Sequence, residues 1–258
     1  MRKDERRQEI INLLVEDKTV DLDALADRFF VSKMTIHRDL DDLEREGVLR
    51  KVRGGATIDA GTQFESDFRF REHQESDAKA LMARAALHLV EPGMTVMVND
   101  GSMAAVLGEM LIEKRPLTLI TNNAAIMERM KSESGISLIA LGGIYSAKFN
   151  AYLGVLTEEA LSRLRADIAF LSTPAVSDRK AYHMDDNVIR AKRAMMASAT
   201  KTCLLVNHQR IGRMALHVMA DLEDFDVVIT DRAPEASVVE DFERAGIPLT
   251  IALHEEQT

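Results

Sequence analysis

VSKMTIHRDL, residues 31–40, decides how the amino-terminal region reads. Ser32 stands where a helix N-cap is expected. Ile36, Leu40 and Leu43 follow at the spacing of one buried helical stripe, so Met34, His37, Arg38 and Asp41 point away from it. Upstream, DLDALADRF (21–29) offers Asp21 as a cap and Leu22, Leu25, Ala26 and Phe29 as a second inward face. Residues 3–16 predict a further helix with Ile10, Ile11 and Leu14 on one side, flanked by Leu13 and Val15. Downstream, Gly47 is placed to end the third helix. Val48–Val52 and Ala56–Ile58 then read as short strands joined by a Gly54-Gly55 turn. Helices, a tight turn and a cationic hairpin are the parts of a winged helix-turn-helix that reads double-stranded DNA. Within it, Arg38 suits a base contact and His37 shares its face. Ser32, Lys33, Thr35, Arg50, Lys51 and Arg53 suit phosphates.

Composition bounds the rest. The 258 residues allow one large or two ordinary domains, and 46% hydrophobic with 29% charged residues is a soluble globular balance. No apolar run approaches the roughly 18 residues of a membrane span. The charged start MRKDERRQE has no secretory pattern, and the one cysteine, Cys203, sits in an apolar run, so a cytoplasmic location is expected. Net charge is −9, which argues against nucleic acid until its distribution is examined. Residues 1–58 carry 12 basic against 13 acidic groups (−1), leaving 21 against 29 (−8) beyond them. The basic groups of the head are clustered at Arg2, Lys3, Arg6 and Arg7 and at Arg50, Lys51 and Arg53.

The domains expected are a DNA-binding head over 1–58, a linker over 59–75 and an α/β body over 76–258. In the body, apolar runs at 95–99, 117–121, 136–141, 167–172, 202–207, 226–230 and 249–253 alternate with helical segments such as 78–89, 103–113, 123–131, 157–165 and 187–199. That alternation predicts a Rossmann-like parallel sheet covered on both faces. Ligands of such sheets collect beyond the carboxyl ends of the strands. The residues there are Asp100-Gly101-Ser102, Thr121-Asn122-Asn123, Gly142-Gly143 with Lys148 nearby, and Asn207-His208-Gln209-Arg210. Each alone is ordinary turn chemistry, but together they form a run of loops suited to an anion at helix starts. Arg179, Lys180, Lys192 and Arg193 add positive charge, although on an exposed helix such residues are usually just solvated. His183 near Asp185 and Asp186 reads as a surface loop, since no second His or Cys stands at metal-ligand spacing. Dinucleotide, Walker and nucleophile-elbow motifs are absent; no catalytic residue, metal or cofactor is assigned.

LADRFFVSKMTIHRDLDDLEREGVLRKVRGGA (25–56) resembles the DNA-binding signature of the DeoR family of bacterial transcriptional regulators, and the likeness runs over nearly the whole chain. Lys79, VNDGS (98–102), TNN (121–123), LGGIY (141–145), Gly154, AKRAMM (191–196) and VITD (228–231) carry it through the body. The resemblance implies a sensor domain similar in fold to ribose-5-phosphate isomerase that binds a phosphorylated sugar or related metabolite. It also implies a repressor of carbohydrate genes released by that ligand; a single head of this size gives few contacts, so a homodimer or homotetramer is expected. Asp100, Gly101, Ser102, Thr121, Asn122, Asn123, Gly142, Gly143, Lys192 and Arg210 are the effector-binding candidates. The chain departs from the family at His37-Arg38 in place of two arginines, and at Met103 in place of a threonine. Asn207 and Arg210 replace Asp and Lys, and Val188 stands where an acid is common, with Asp185 or Asp186 as substitutes. These departures fit an unusual effector or a weakened phosphate site. Two other readings stay open: an isomerase-like enzyme with Asp100 as base, and a DNA-binding protein with no effector response.

Overall fold

The computed structural model describes residues 2–45, 48–57, 68–72 and 74–253. The side chain of Val15, Gly47 as a helix end, Ile58 as a strand residue and most of the 59–75 linker lie outside those residues. The chain divides into two compact units, Met1–Gln74 and Glu75–Thr258.

In the first unit, helix α1 (Lys3–Asp17) leads through strand β1 (Thr19–Asp21) into α2 (Leu22–Phe29) and α3 (Lys33–Arg45). Asp21 caps α2, its carboxylate accepting from the backbone N–H of Asp23 and Ala24 at 2.9 Å each. Ile10, Ile11 and Leu14 from α1, Leu22, Leu25 and Ala26 from α2, and Ile36, Leu40 and Leu43 from α3 close one core. Each helix supplies residues three and four apart, so burying one stripe fixes the direction of the opposite face. α3 is further tied to α1 by a buried ion pair, Arg6 Nε to Asp39 at 2.5 Å.

Strands β2 (Arg50–Val52) and β3 (Gly55–Thr57) form the wing, and β1 completes its sheet in the order β1-β3-β2. The turn is Arg53-Gly54, with the positive φ (85°) at Gly54. Gly55 is therefore a strand residue paired with Val52 and Asp21, not the second half of a turn. Its need for glycine is steric, because a β carbon there would lie 1.9 Å from the Val20 carbonyl oxygen.

After the short helix α4 (Phe68–Glu72), the second unit opens with α5 (Ser76–Leu87), β4 (Thr95–Val98), α6 (Ser102–Met110), β5 (Leu117–Thr121), α7 (Ala124–Met130) and β6 (Ile136–Ala140). A hairpin of β7 (Ile144–Ser146) and β8 (Ala151–Leu153) follows, then α8 (Val155–Ser162) and β9 (Ala166–Ser172). Next come β10 (Ala175–Ser177), β11 (Lys180–His183), α9 (Asp186–Ala197) and β12 (Ala199–Leu205). β13 (His217–Asp221), β14 (Val227–Thr230), α10 (Ala236–Ala245) and β15 (Leu249–Ile251) complete it.

Seven strands make one all-parallel sheet among the described residues, ordered β15-β14-β12-β9-β4-β5-β6. Side chains alternate between its faces. Val96, Val98, Leu117, Leu119, Ile168 and Phe170 pack with α5, α6 and α7. Met97, Ile120, Ala169, Leu171, Leu204 and Val228 pack with residues of α8, α9 and α10. Cys203 lies in the core on the α5–α7 face, and burial pushes its thiol pKa up, as expected of a small inert hydrophobe.

The two smaller sheets escape the alternation pattern. β7 and β8 are three residues each, as is β10, and β10-β11-β13 is antiparallel. The β10–β11 turn places Asp178 and Arg179 both at positive φ (48° and 57°), so it lacks the Asn-Gly or Asp-Gly signature that marks such hairpins.

Gly55→Ala should destabilise the head by about 1–3 kcal/mol, the usual penalty of forced overpacking. A urea titration of the full chain that left the head's unfolding midpoint unchanged would contradict the close approach of β1 to β3.

Candidate functional site

The DNA-facing candidates all lie in the first unit. Ser32 Oγ accepts from the Thr35 backbone N–H at 3.2 Å and hydrogen-bonds its hydroxyl at 2.9 Å, closing the amino end of α3. Both residues thus build the amino-terminal start of α3. His37 and Arg38 are exposed on the outward face. Arg38, Arg50 and Arg53 make no side-chain hydrogen bond or ion pair with another described residue, and their guanidinium groups are exposed for a polyanion.

Two lysines differ from that expectation. Lys33 Nζ sits 2.7 Å from Asp23, which raises its pKa through the hydrogen bond. Lys51 Nζ sits 2.5 Å from Asp41, whose carboxyl it holds below the usual range, while Glu44 accepts the Lys51 backbone N–H at 2.7 Å. Both ammonium charges are already neutralised locally, so a phosphate must compete for them.

The second unit presents a polar cluster where the sheet order reverses. From β4 the chain moves outward through β5 and β6, then returns to β9 on the other side of β4. Such a reversal is where the ligand crevices of open α/β sheets form, here at the carboxyl ends of β4 and β9. Asp100, just past β4, and Lys192, on α9, are both buried there, 3.8 Å apart. Lys192 Nζ also donates to the Ser172 carbonyl at the end of β9, 2.7 Å away. Lys192 is 2% exposed, so it is not the solvated helix residue that its neighbours suggest. Its place on the stripe of Val188 and Met195 was the available signal.

Gly101 (φ 105°) precedes α6, whose first N–H groups face the same region, beside Ser102. Thr121 ends β5, Asn122 and Asn123 follow it, and all three are buried. Thr121 Oγ1 donates to the Val98 carbonyl at 2.6 Å. Asn123 caps α7 and donates to the Gly101 carbonyl at 3.1 Å, joining the loops after β4 and β5. These two side chains are scaffold. Asn122 donates to the Tyr152 carbonyl at 3.1 Å, and Asn99 to Asp100 at 3.3 Å. Each amide nitrogen is therefore engaged, whereas Asn99 Oδ1 and Asn122 Oδ1 are buried without a hydrogen-bond partner among the described residues. Buried acceptors of this kind call for a donor.

The remaining candidates lie farther out. Gly142 and Gly143 follow the edge strand β6 and pack on the start of α8. Thr157 Oγ1 donates to the Gly142 carbonyl at 2.7 Å, and a β carbon on Gly143 would meet that hydroxyl at 2.4 Å. Close packing accounts for Gly143, whose φ is also positive (147°), whereas a β carbon on Gly142 would meet nothing within 4 Å. Arg210 lies in the turn after β12, two strands from β4 in the other direction. The sequence reading overlooked a pair beside it: buried Asp231 accepts from the His208 backbone N–H and bonds its Nδ1, both at 2.7 Å. His183 is buried in β11 with its Nδ1 accepting the Asp185 N–H at 3.1 Å, which replaces the surface-loop reading. Asp185 caps α9 and Asp186 pairs with Arg190, so both acids have structural roles. No group of three metal-ligating side chains occurs among the described residues, and no helix among them is long and apolar enough to cross a membrane.

Comparison with known proteins agrees with both halves. Residues 6–62 match the family model of the DeoR-like helix-turn-helix domain, and residues 74–232 that of the DeoR C terminal sensor domain. The HTH-type transcriptional regulator YgbI of Escherichia coli strain K12 is 28% identical over 97% of this chain and 98% of its own length. The glycerol-3-phosphate regulon repressor of the same strain is 25% identical over 93% and 95%. Among solved structures, ribose 5-phosphate isomerase A of Methanocaldococcus jannaschii matches 54% of this chain and 55% of its own at 18% identity and a TM-score of 0.40. The chain belongs to the DeoR family and is a DNA-binding transcriptional regulator with an amino-terminal helix-turn-helix head and a carboxyl-terminal sensor domain.

Proposed function

We propose that the chain is a repressor of carbohydrate genes that leaves its operator when a phosphorylated sugar or related polyol phosphate fills the crevice at the β4–β9 reversal. The observation that carries this reading is the buried cluster of Asp100, Lys192, Asn99 and Asn122 beside the amino end of α6. It supplies N–H groups for a phosphate and acceptors for hydroxyls. One relative, a glycerol-3-phosphate regulon repressor, is named for a regulon of a polyol phosphate. Gly101 and Ser102 meet the phosphate in this reading; Asp100, Asn99 and Asn122 meet hydroxyls; Lys192 sets the charge of the floor. Thr121 and Asn123 hold the loops, and Gly142, Gly143 and Arg210 form the outer rim.

An isomerase reading is weaker. The proton transfer it needs requires a base free to approach the substrate, and Asp100 is already engaged by Lys192 and Asn99.

On the DNA side, Arg38 reads a base and Arg50 and Arg53 hold phosphates. Ser32, Lys33, Thr35, His37 and Lys51 complete the contact face. One head offers few contacts, so the working species is a dimer or tetramer on repeated half-sites in the cytoplasm.

A thermal-shift panel of three- to six-carbon sugar and polyol phosphates, with their unphosphorylated counterparts, tests the sensor. At least one phosphorylated compound should raise the melting temperature and release DNA, and its effect should vanish in Asn122→Leu. A panel in which no phosphate ester shifts the melting curve would refute the assignment. For the head, Arg38→Ala should cost about 1–3 kcal/mol of specific binding and much less of non-specific binding. Asp41→Asn, which releases Lys51, should instead strengthen both kinds of binding about twofold to tenfold at low salt, with the gain fading as salt rises. Equal loss of both kinds in Arg38→Ala would remove it as a base reader.

A further inference from the structure

Between α2 and α3 the chain reverses at Phe30, whose backbone N–H returns to the carbonyls of Ala26 and Asp27. Phe30 adopts a left-handed conformation (φ 54°, ψ 45°). A side chain there is disfavoured relative to glycine. Its ring gains nothing in return within the head, since the residue is 95% exposed. The neighbouring Phe29, by contrast, packs against the head core. Met34, four residues on and in the first turn of α3, is 62% exposed. Met34 shares the outward side of α3 with His37 and Arg38, and Phe30 stands two residues before the capping Ser32.

Two large apolar side chains thus border the amino end of the helix assigned to the groove. Neither is needed by the head core. Phosphates offer such groups nothing. The apolar feature that a duplex presents in the major groove is the 5-methyl group of thymine, which distinguishes a T·A pair from all others at that position. Continuity with the recognition face selects DNA as the occupant, and the exposed Arg38 guanidinium beside Met34 suits a polyanion. We infer that Phe30 and Met34 form an apolar reader of thymine methyl groups, adding T-specific positions next to the base that Arg38 selects. This inference rests on α3 being the recognition helix.

The test uses the full chain and a duplex enriched by it from a random-sequence pool. Each thymine of that duplex is replaced singly by uracil, which removes the methyl and keeps the pairing edge. Wild-type protein should lose affinity about fourfold at one or two positions, the equivalent of one buried methyl group. Met34→Ala and Phe30→Gly should each erase the penalty at one of those positions. Phe30→Gly should also melt no lower than wild type, because glycine relieves the positive φ; this separates lost contact from lost folding. Tolerance of uracil at every position would overturn the inference, and so would an undiminished uracil penalty in both variants. A Phe30→Gly protein that changed oligomeric mass by light scattering while keeping the penalty would assign the ring to a second copy and equally overturn it. Failure to enrich any sequence would refute α3 as a reader, and this inference with it; an enriched site indifferent to uracil refutes the methyl reader alone.

Discussion

What the head can read depends on the ion pair between Arg6 of α1 and Asp39 of α3. Asp39 is adjacent in sequence to Arg38, so their side chains point about 100° apart around the helix. Pinning the Asp39 carboxylate 2.5 Å from a buried guanidinium leaves α3 one rotational setting. With Ile36, Leu40 and Leu43 buried on the same side, that setting turns Met34, His37 and Arg38 outward. A buried pair of this kind adds little net stability over an apolar substitute. Its contribution here is orientation, which a hydrophobic contact alone specifies less sharply. The wing is oriented in a similar way: the Gly54 carbonyl accepts the Leu22 N–H at 2.8 Å, tying the hairpin turn to the start of α2.

The sensor unit uses the same physics for a different end. Its polar cluster lies where the strand order reverses, and its charges are Lys192 of α9 and Asp100 just past β4, buried beside Asn99, Thr121, Asn122 and Asn123. Burial of an ammonium demands partners, and the Ser172 carbonyl and the Asp100 carboxylate supply them. Asn99 and Asn122 have their amide nitrogens directed to protein acceptors, which sets the orientation of each amide and leaves two carbonyl oxygens without internal donors. In the proposed function a hydroxyl-bearing ligand would answer that shortage. The amino end of α6 would answer the charge of a phosphate attached to it.

Most of the architecture was legible because it rests on repetition. The helices of the head announce themselves through apolar residues three and four apart and through Asp21 as a cap. The seven parallel strands appear as short apolar runs separated by helical stretches. What stayed hidden depends on contacts distant in sequence. Nothing local distinguishes Gly55 as a crowded strand residue from Gly54 as a turn residue, since the obstruction is the Val20 carbonyl on another strand. Lys192 and Arg193 look alike in the sequence, yet one is buried against β9 while the other reaches the carbonyls of Val218 and Met219. The basic wing likewise conceals that Asp41 already holds Lys51, and no spacing rule links His208 to Asp231 across 23 residues.

A regulator requires its two ligands to influence one another, and thermodynamic linkage makes that influence equal in both directions. The most direct measurement is therefore a closed cycle on the full chain. Operator affinity is measured with and without the phosphorylated ligand, and ligand affinity with and without operator. The account predicts that each ligand weakens the other by one common factor, about 5- to 150-fold for a typical coupling of 1–3 kcal/mol. Two affinities that ignored each other would show a DNA-binding protein whose sensor domain does not control it.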